Sequence, residues 1–273
     1  MILSILRHSR TPFWRQLQQF YWRSLLGRRS VAAIAFAVVL DCLKNYVLLS
    51  PRWNLVVLSN DLVFMAATAF SFTELVVIGI TAQEFDKFRR GGTFEQLHLA
   101  GFSASGILSP FFAVLFATFF LSCALPGIAQ SFFGYEPVSL ILSSMWIYLV
   151  SAAMQVYALT ALILLLNVYA VSLGYQFLAS LVIGFSAYFA VSVLSDSVLV
   201  FLTNWVQSSP TSRLIGFLTS GSPSQALGLK IPLTLAWYWA VLICGFCEML
   251  AGVAMVVVLK KSAGRLIARN FHR

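Results

Sequence analysis

The sequence predicts an all-α integral membrane protein: six transmembrane helices, an N-terminal amphipathic interface helix, and a short cytoplasmic helix on the basic side. Three observations predict it. Hydrophobic residues make up 60% of the 273-residue chain and charged residues only 10%, against about 45–50% and about a quarter in a soluble domain. Fourteen of the 18 Lys and Arg fall in three clusters, Arg7 to Arg29, Lys87 to Arg90 and Lys260 to Arg273, the bias expected of cytoplasmic segments. Finally, a polar island, residues 81–109 (TAQEFDKFRRGGTFEQLHLAGFSASGILS), separates two long apolar runs.

The mean hydropathy of +0.87 and the length suit one domain of about six spans, at about 20 residues per crossing. The net charge of +9 does not point to nucleic acid, because the clusters flank apolar runs and suit anionic headgroups instead. Arg7 and Arg10 interrupt the apolar start without a long apolar core or a small-residue cleavage site, so no signal peptide is expected.

Residues 1–29 form the interfacial segment. Within 11–29 (TPFWRQLQQFYWRSLLGRR), Thr11 suits an N-cap with Pro12 at the first helical position. Phe13, Leu17, Phe20, Tyr21 and Leu25 recur at helical spacing, opposite Arg15, Gln18, Gln19 and Arg23. The transmembrane domain then occupies 30–259, with spans at about 30–49, 61–80 and 107–130, two sharing 139–201 with a turn at 167–175, and one at about 233–259. The connections 50–60, 131–138 and 202–232 fall on the other side; the last, rich in Ser, Pro and Gly yet carrying Trp205 and Phe217, reads as a re-entrant segment. Residues 260–273 form a basic tail, and both termini lie on the cytoplasmic side.

Enzyme signatures are absent: there is no GxxxxGK[ST], HExxH or GxSxG, and His8, His98 and His272 are scattered, so no catalytic or metal site is predicted. Cys244 and Cys247 form a CxxC inside an apolar run, without a second CxxC or nearby His, and read as small apolar residues. Charge inside the hydrocarbon is costly and faces the protein interior. Glu74 and Glu248 either line a translocation path or fasten helices together; Asp41 and Lys44, three apart, are spaced to pair on one helix face, and Asp196 lies toward the outer end of the fifth span.

In the island, Glu84, Asp86, Lys87, Arg89 and Arg90 extend the second span as a charged stalk, which Gly91 and Gly92 break. Thr93 then caps a short helix, Phe94 to Ala100, that Gly101 ends. Phe94, Leu97 and Leu99 supply apolar knobs, and Glu95, Gln96 and His98 polar contacts, for a soluble partner; the plain alternative is a solvated loop.

These residues resemble the loop between the second and third helices of ABC-2 type (type V exporter) ABC transporter permeases. Such loops carry an acidic residue, a basic one, Gly-Thr-aliphatic-Glu-x-Leu, a Thr-Pro or similar, and a Ser before the next span. Gly92, Thr93, Glu95, Leu97 and Ser103 fit; Phe94 replaces the aliphatic residue, and Ala100-Gly101 stands where Thr-Pro is common. Ser222 to Leu227 (SPSQAL) is similar to the segment before the last helix of many members. The resemblance implies a permease subunit of the bacterial cytoplasmic (inner) membrane that pairs with a second permease subunit and binds separate cytoplasmic ABC ATPase subunits. It implies that Glu84, Gly92, Thr93, Phe94, Glu95, Leu97 and His98 couple to the ATPase, which carries ATP and Mg, while this chain binds no cofactor and hydrolyses nothing. The expected cargo is amphipathic, lipid-like or glycan. Two other readings stay open: an ion-coupled secondary transporter using Glu74 and Glu248, and a scaffold that moves no substrate.

Overall fold

The computed structural model describes residues 13–49, 71–133, 138–208 and 225–264. Eight helices occupy them: α1 (Phe13–Leu25), α2 (Arg28–Leu49), α3 (Phe72–Arg90), α4 (Thr93–Leu99), α5 (Ala104–Phe133), α6 (Val138–Val168), α7 (Leu173–Ser208) and α8 (Gln225–Ser262). Among the described residues there is no strand. Four stretches are long and apolar enough to cross a membrane: Ala104–Leu125, Leu149–Val168, Leu173–Val191 and Trp239–Ser262. Large apolar side chains stand exposed along their outer faces, including Leu178, Val182 and Phe185 on α7 and Phe246, Leu250 and Val253 on α8. A water-soluble monomer does not leave apolar faces of this extent uncovered; this is a membrane protein.

Four of the predicted spans contain such a stretch; α2 covers the residues of the expected first span and α3, from Phe72 to Arg90, the end of the expected second, but neither is among those four stretches. α3 starts at Ser71 because Ser-x-x-Glu (Ser71 to Glu74) is a capping sequence: the Ser71 hydroxyl accepts the Glu74 amide at 3.2 Å. The expected 202–232 connection is shorter than read, since α7 continues to Ser208 and α8 begins at Gln225. Thr11, Pro12, His8, His272, residues 50–70, 209–224 and the tail beyond 264 lie outside the described residues.

The expected turn at 167–175 is present. α6 ends at Val168, and Val171 N donates to Leu166 O (3.0 Å) while Ala170 N donates to Asn167 O (3.1 Å), the paired bonds of a Schellman motif. Its left-handed position is filled by Ala170, at φ 57°. Asn167 and Gln176, both buried, exchange amide hydrogen bonds across the turn at 3.3 Å. Tyr169 Oη and Ser262 Oγ, 2.8 Å apart, tie the same turn to the end of α8.

α6 and α8 therefore run parallel, and they make the most extensive helix contact. Small residues permit it: a Cβ on Gly252 would lie 2.8 Å from Ala158 Cα, and one on Gly245 would lie 3.7 Å from Ser151 Cα. Both pairs are spaced seven residues apart, two turns of helix, so the backbones approach along a continuous seam. α7 packs back against α8, α5 against α6, and α1 to α3 flank α5. One end of this bundle gathers α1, the end of α3, all of α4, the start of α5, the α6–α7 turn and the end of α8, together with Arg15, Arg23, Arg28, Lys87, Arg90 and Lys260. It is called the basic end below.

Candidate docking platform at the basic end

The platform is built on aromatic packing. Leu17, Tyr21 and Leu25, one turn apart on α1, are all buried, so this face lies on protein. Tyr21 meets Phe111 of α5 edge to face, centroids 4.9 Å apart, and Phe88 of α3 at 5.6 Å; its hydroxyl donates to Ile107 O at 3.2 Å. Burial pushes the Tyr21 phenol pKa well up. Phe20 also packs on Phe88 (5.4 Å), and Phe13 stacks on Phe102 with centroids 3.6 Å apart. Each buried aromatic contributes about 1.5–3 kcal/mol by area, and each edge-on pair about 0.5–1.5 kcal/mol more. Trp14 and Trp22 remain on the exposed side of α1.

The charged stalk is ordered by pairing. Glu84 is turned inward at 9% exposure and accepts from Ser24 Oγ at 2.5 Å and from Lys87 Nζ. Arg90 and Asp86 pair at 2.8 Å, both well exposed, which contributes little to stability. Arg89 donates to Asn167 O at the end of α6 and lies over the Phe85 ring at 5.6 Å. A cation at the carbonyl end of a helix is favourably placed in its dipole.

α4 follows the Gly91–Gly92 break, as the sequence predicts, but its details differ in three ways. The N-cap is Gly92, left-handed at φ 65°, and not Thr93, which is the first helical residue and is buried. Gly92 has no side chain to cap the first amides, and its carbonyl accepts the first bond of the helix from Gln96 N at 3.0 Å. The helix ends at Leu99, with Gly101 (φ 93°) completing a Schellman stop: Phe102 N donates to Leu97 O (3.3 Å) and Gly101 N to His98 O (2.8 Å).

The third difference concerns the knobs. Phe94 and Leu97 do not face outward: they are 3% and 1% exposed. Phe94 packs on Phe85 (5.0 Å) and Phe88 (5.9 Å). Those rings, with Phe111, offer α4 a better apolar partner than water, so its apolar face is spent within the chain. What remains outward is Gln96, His98 and Leu99, the last 78% exposed, with Glu95 half-buried at the edge. His98 Nδ1 lies 2.9 Å from Phe102 O; a carbonyl only accepts, so Nδ1 carries the proton and Nε2 is presented outward.

Away from the basic end, Asp41 and Lys44 pair at 3.2 Å, as their spacing predicts. The rest of that arrangement is not legible from spacing: Asp41 is 2% exposed and accepts from Phe72 N (3.0 Å), Thr73 N (2.9 Å), Thr73 Oγ1 (2.7 Å) and Ser71 Oγ (2.9 Å). It caps α3 from a neighbouring helix. Glu74 accepts from Ser180 Oγ of α7, joining α3 to α7. Glu248 is half-buried and takes a long bond from Cys244 of its own helix, at 3.9 Å. Cys244 and Cys247 are both free, one buried and one exposed. Among the described residues no three His, Cys, Asp or Glu gather as a metal-ligand set. No protein-family model, curated protein or solved structure matches this chain.

Proposed function

We propose that the chain is the permease subunit of an ATP-driven ABC exporter of the ABC-2 type, working with a second permease subunit and with separate ATPase subunits that hold ATP and Mg. The observation that supports it is the mounting of α4. A seven-residue helix is marginal alone, yet here both its ends are fixed by turns and its apolar face is sunk among Phe85, Phe88 and Phe111. The outer face, Gln96, His98 and Leu99, is thereby held in one orientation toward a soluble partner. The Arg89 contact to Asn167 and the Glu84 contact to Ser24 tie the base of this element to α6 and α1. A displacement imposed on α4 by a closing ATPase pair then reaches several helices together, and nucleotide binding biases the membrane helices through its differential affinity for their arrangements.

In this reading Phe94 and Leu97 position the coupling helix, and Gln96, His98 and Leu99 touch the ATPase. Glu74 is a fastener between α3 and α7. The basic end faces the cytoplasm by the positive-inside rule, in a bacterial inner membrane, and the cargo is an amphipathic, lipid-like or glycan molecule moved outward. The test is co-purification of the tagged, detergent-solubilised chain from its host, alongside Leu99→Asp. A stoichiometric subunit with a Walker A motif that is present with the native chain and lost with Leu99→Asp supports the reading. No such subunit with either chain overturns it.

A further inference from the structure

At the basic end, outside the α4 platform, a cleft of about 230 Å³ opens between α5, α6 and α8. Lys260 of α8 and Ser105 and Ser109 of α5 line the part nearest the helix ends, its polar mouth; Phe112, Tyr157 and Val256, farther along the helices, line its apolar inner wall. We infer that this cleft binds an anionic phospholipid of the surrounding bilayer. Lys260 and the two hydroxyls take the phosphodiester, and the first part of one acyl chain lies along Phe112, Tyr157 and Val256.

The order of chemistry along the cleft carries the argument. Ser105, Ser109 and Phe112 are at i, i+4 and i+7 on α5, a single helix face. From Ser105 to Phe112 the helix rises about 10 Å, and over that distance the wall changes from hydroxyl and ammonium to aromatic. The same change occurs on α8 from Lys260 back to Val256. The polar mouth sits at the ends of the apolar stretches that begin at Ala104 and finish at Ser262, which is the depth of the headgroups. A free phosphate would use the mouth and have no use for the apolar wall; a neutral lipid would use the wall and leave the ammonium unanswered.

The charge is complementary as well. No acidic residue lines the cleft, and among the described residues no carboxylate pairs with the exposed Lys260. The wall is also held in place. Tyr157 meets Phe112 edge to face at 5.4 Å and Phe116 at 6.4 Å, and the Gly252–Ala158 approach fixes the α6–α8 spacing beside it. Basic pockets between membrane helices at headgroup depth are recognised lipid sites. The volume admits a headgroup and the start of a chain, while the remainder stays in the bilayer.

The inference is tested by native mass spectrometry of the full-length, detergent-solubilised chain titrated with phosphatidylglycerol and, separately, phosphatidylcholine. Three variants are compared: Lys260→Glu, Val256→Trp to fill the inner wall, and Lys261→Glu as a neighbouring reversal that does not line the cleft. We expect phosphatidylglycerol to be retained over phosphatidylcholine, with retention falling at least about fivefold in Lys260→Glu, the effect of about 1 kcal/mol per basic residue near an anionic surface. Val256→Trp should lower it comparably and Lys261→Glu, exposed but outside the cleft, should lower it less than Lys260→Glu. Equal losses in Lys260→Glu and Lys261→Glu, or none in Lys260→Glu, would overturn the site. Displacement of the lipid by millimolar inorganic phosphate, with Val256→Trp silent, would overturn the lipid in favour of a soluble anion.

Discussion

Thr73 gives Asp41 both its backbone amide, at 2.9 Å, and its hydroxyl, at 2.7 Å, so a carboxylate on α2 closes the first turn of α3. With Phe72 N and Ser71 Oγ also donating and Lys44 beside it, Asp41 satisfies amides that a helix start otherwise leaves orphaned. Asp41→Ala should destabilise the chain by about 3–5 kcal/mol, since it leaves the Phe72 and Thr73 amides and two hydroxyls without this acceptor. Asp41→Asn, which keeps an acceptor, should lose less. Thermal unfolding of the detergent-solubilised chain, followed by tryptophan fluorescence, checks the order: native, then Asn, then Ala.

The two faces of α4 should respond oppositely to the same change. Leu97→Asp places a charge where the side chain is 1% exposed and should abolish the folded, monodisperse species. Leu99→Asp, at 78% exposure, should leave the melting temperature within what a change of about 0.5 kcal/mol produces. Size-exclusion profiles of the two variants decide the matter; matching behaviour would mean that α4 is not seated on Phe85 and Phe88.

Gly252 should tolerate no side chain. A methyl there would stand 2.8 Å from Ala158 Cα, a backbone atom that cannot swing aside. Gly252→Ala should cost about 1–3 kcal/mol, the usual penalty of overpacking, and Gly252→Val more. Gly264→Ala meets nothing within 4 Å and serves as the matched control in the same melts.

Ala170 holds a left-handed conformation at φ 57°, which disfavours any residue with a Cβ by about 1–2 kcal/mol. Ala170→Gly should therefore raise stability by about 1 kcal/mol, net of glycine's greater freedom in the unfolded chain. A fall in melting temperature would show that the α6–α7 turn is not strained.

Tyr21 supplies a pH dependence. Its phenol pKa is raised by burial above the ordinary 10.0, so the unfolded state loses this proton first. The stabilisation is complete below about pH 10 and declines as pH rises above it. Tyr21→Phe should be somewhat less stable at neutral pH, lacking the bond to Ile107 O, yet should lose less on going from about pH 9 to about pH 11. Melting temperatures of both chains across that range provide the measurement.

Local chemistry was readable and long-range choice was not. The four apolar helices followed from hydropathy, the turn after Asn167 from the length of the apolar run, and the α3–α4 break from Gly91–Gly92. The outward face of α4 was not legible. Phe94, Leu97 and Leu99 are equally apolar, and two turns of helix are too short for periodicity to rank them. Phe85, Phe88 and Phe111 decide the matter, and the sequence does not say that these three converge. Likewise Asp41–Lys44 and Glu84–Lys87 are both legible as i, i+3, whereas the second partner of Glu84, Ser24, lies 60 residues away. A signal for the start of α3 did exist in Ser71-x-x-Glu74, masked by the apolar run around it.

The fasteners at the two ends of the first turn of α3 differ in when they become available. Asp41 precedes Thr73 by 32 residues, so a chain growing from its N-terminus has this cap in hand before α3 is made. Ser180 follows Glu74 by 106 residues, so the Glu74 carboxylate must wait through the synthesis of α4, α5 and α6 before its partner exists. The contact between α2 and α3 can therefore form before α7 exists, whereas the Glu74 contact requires α7.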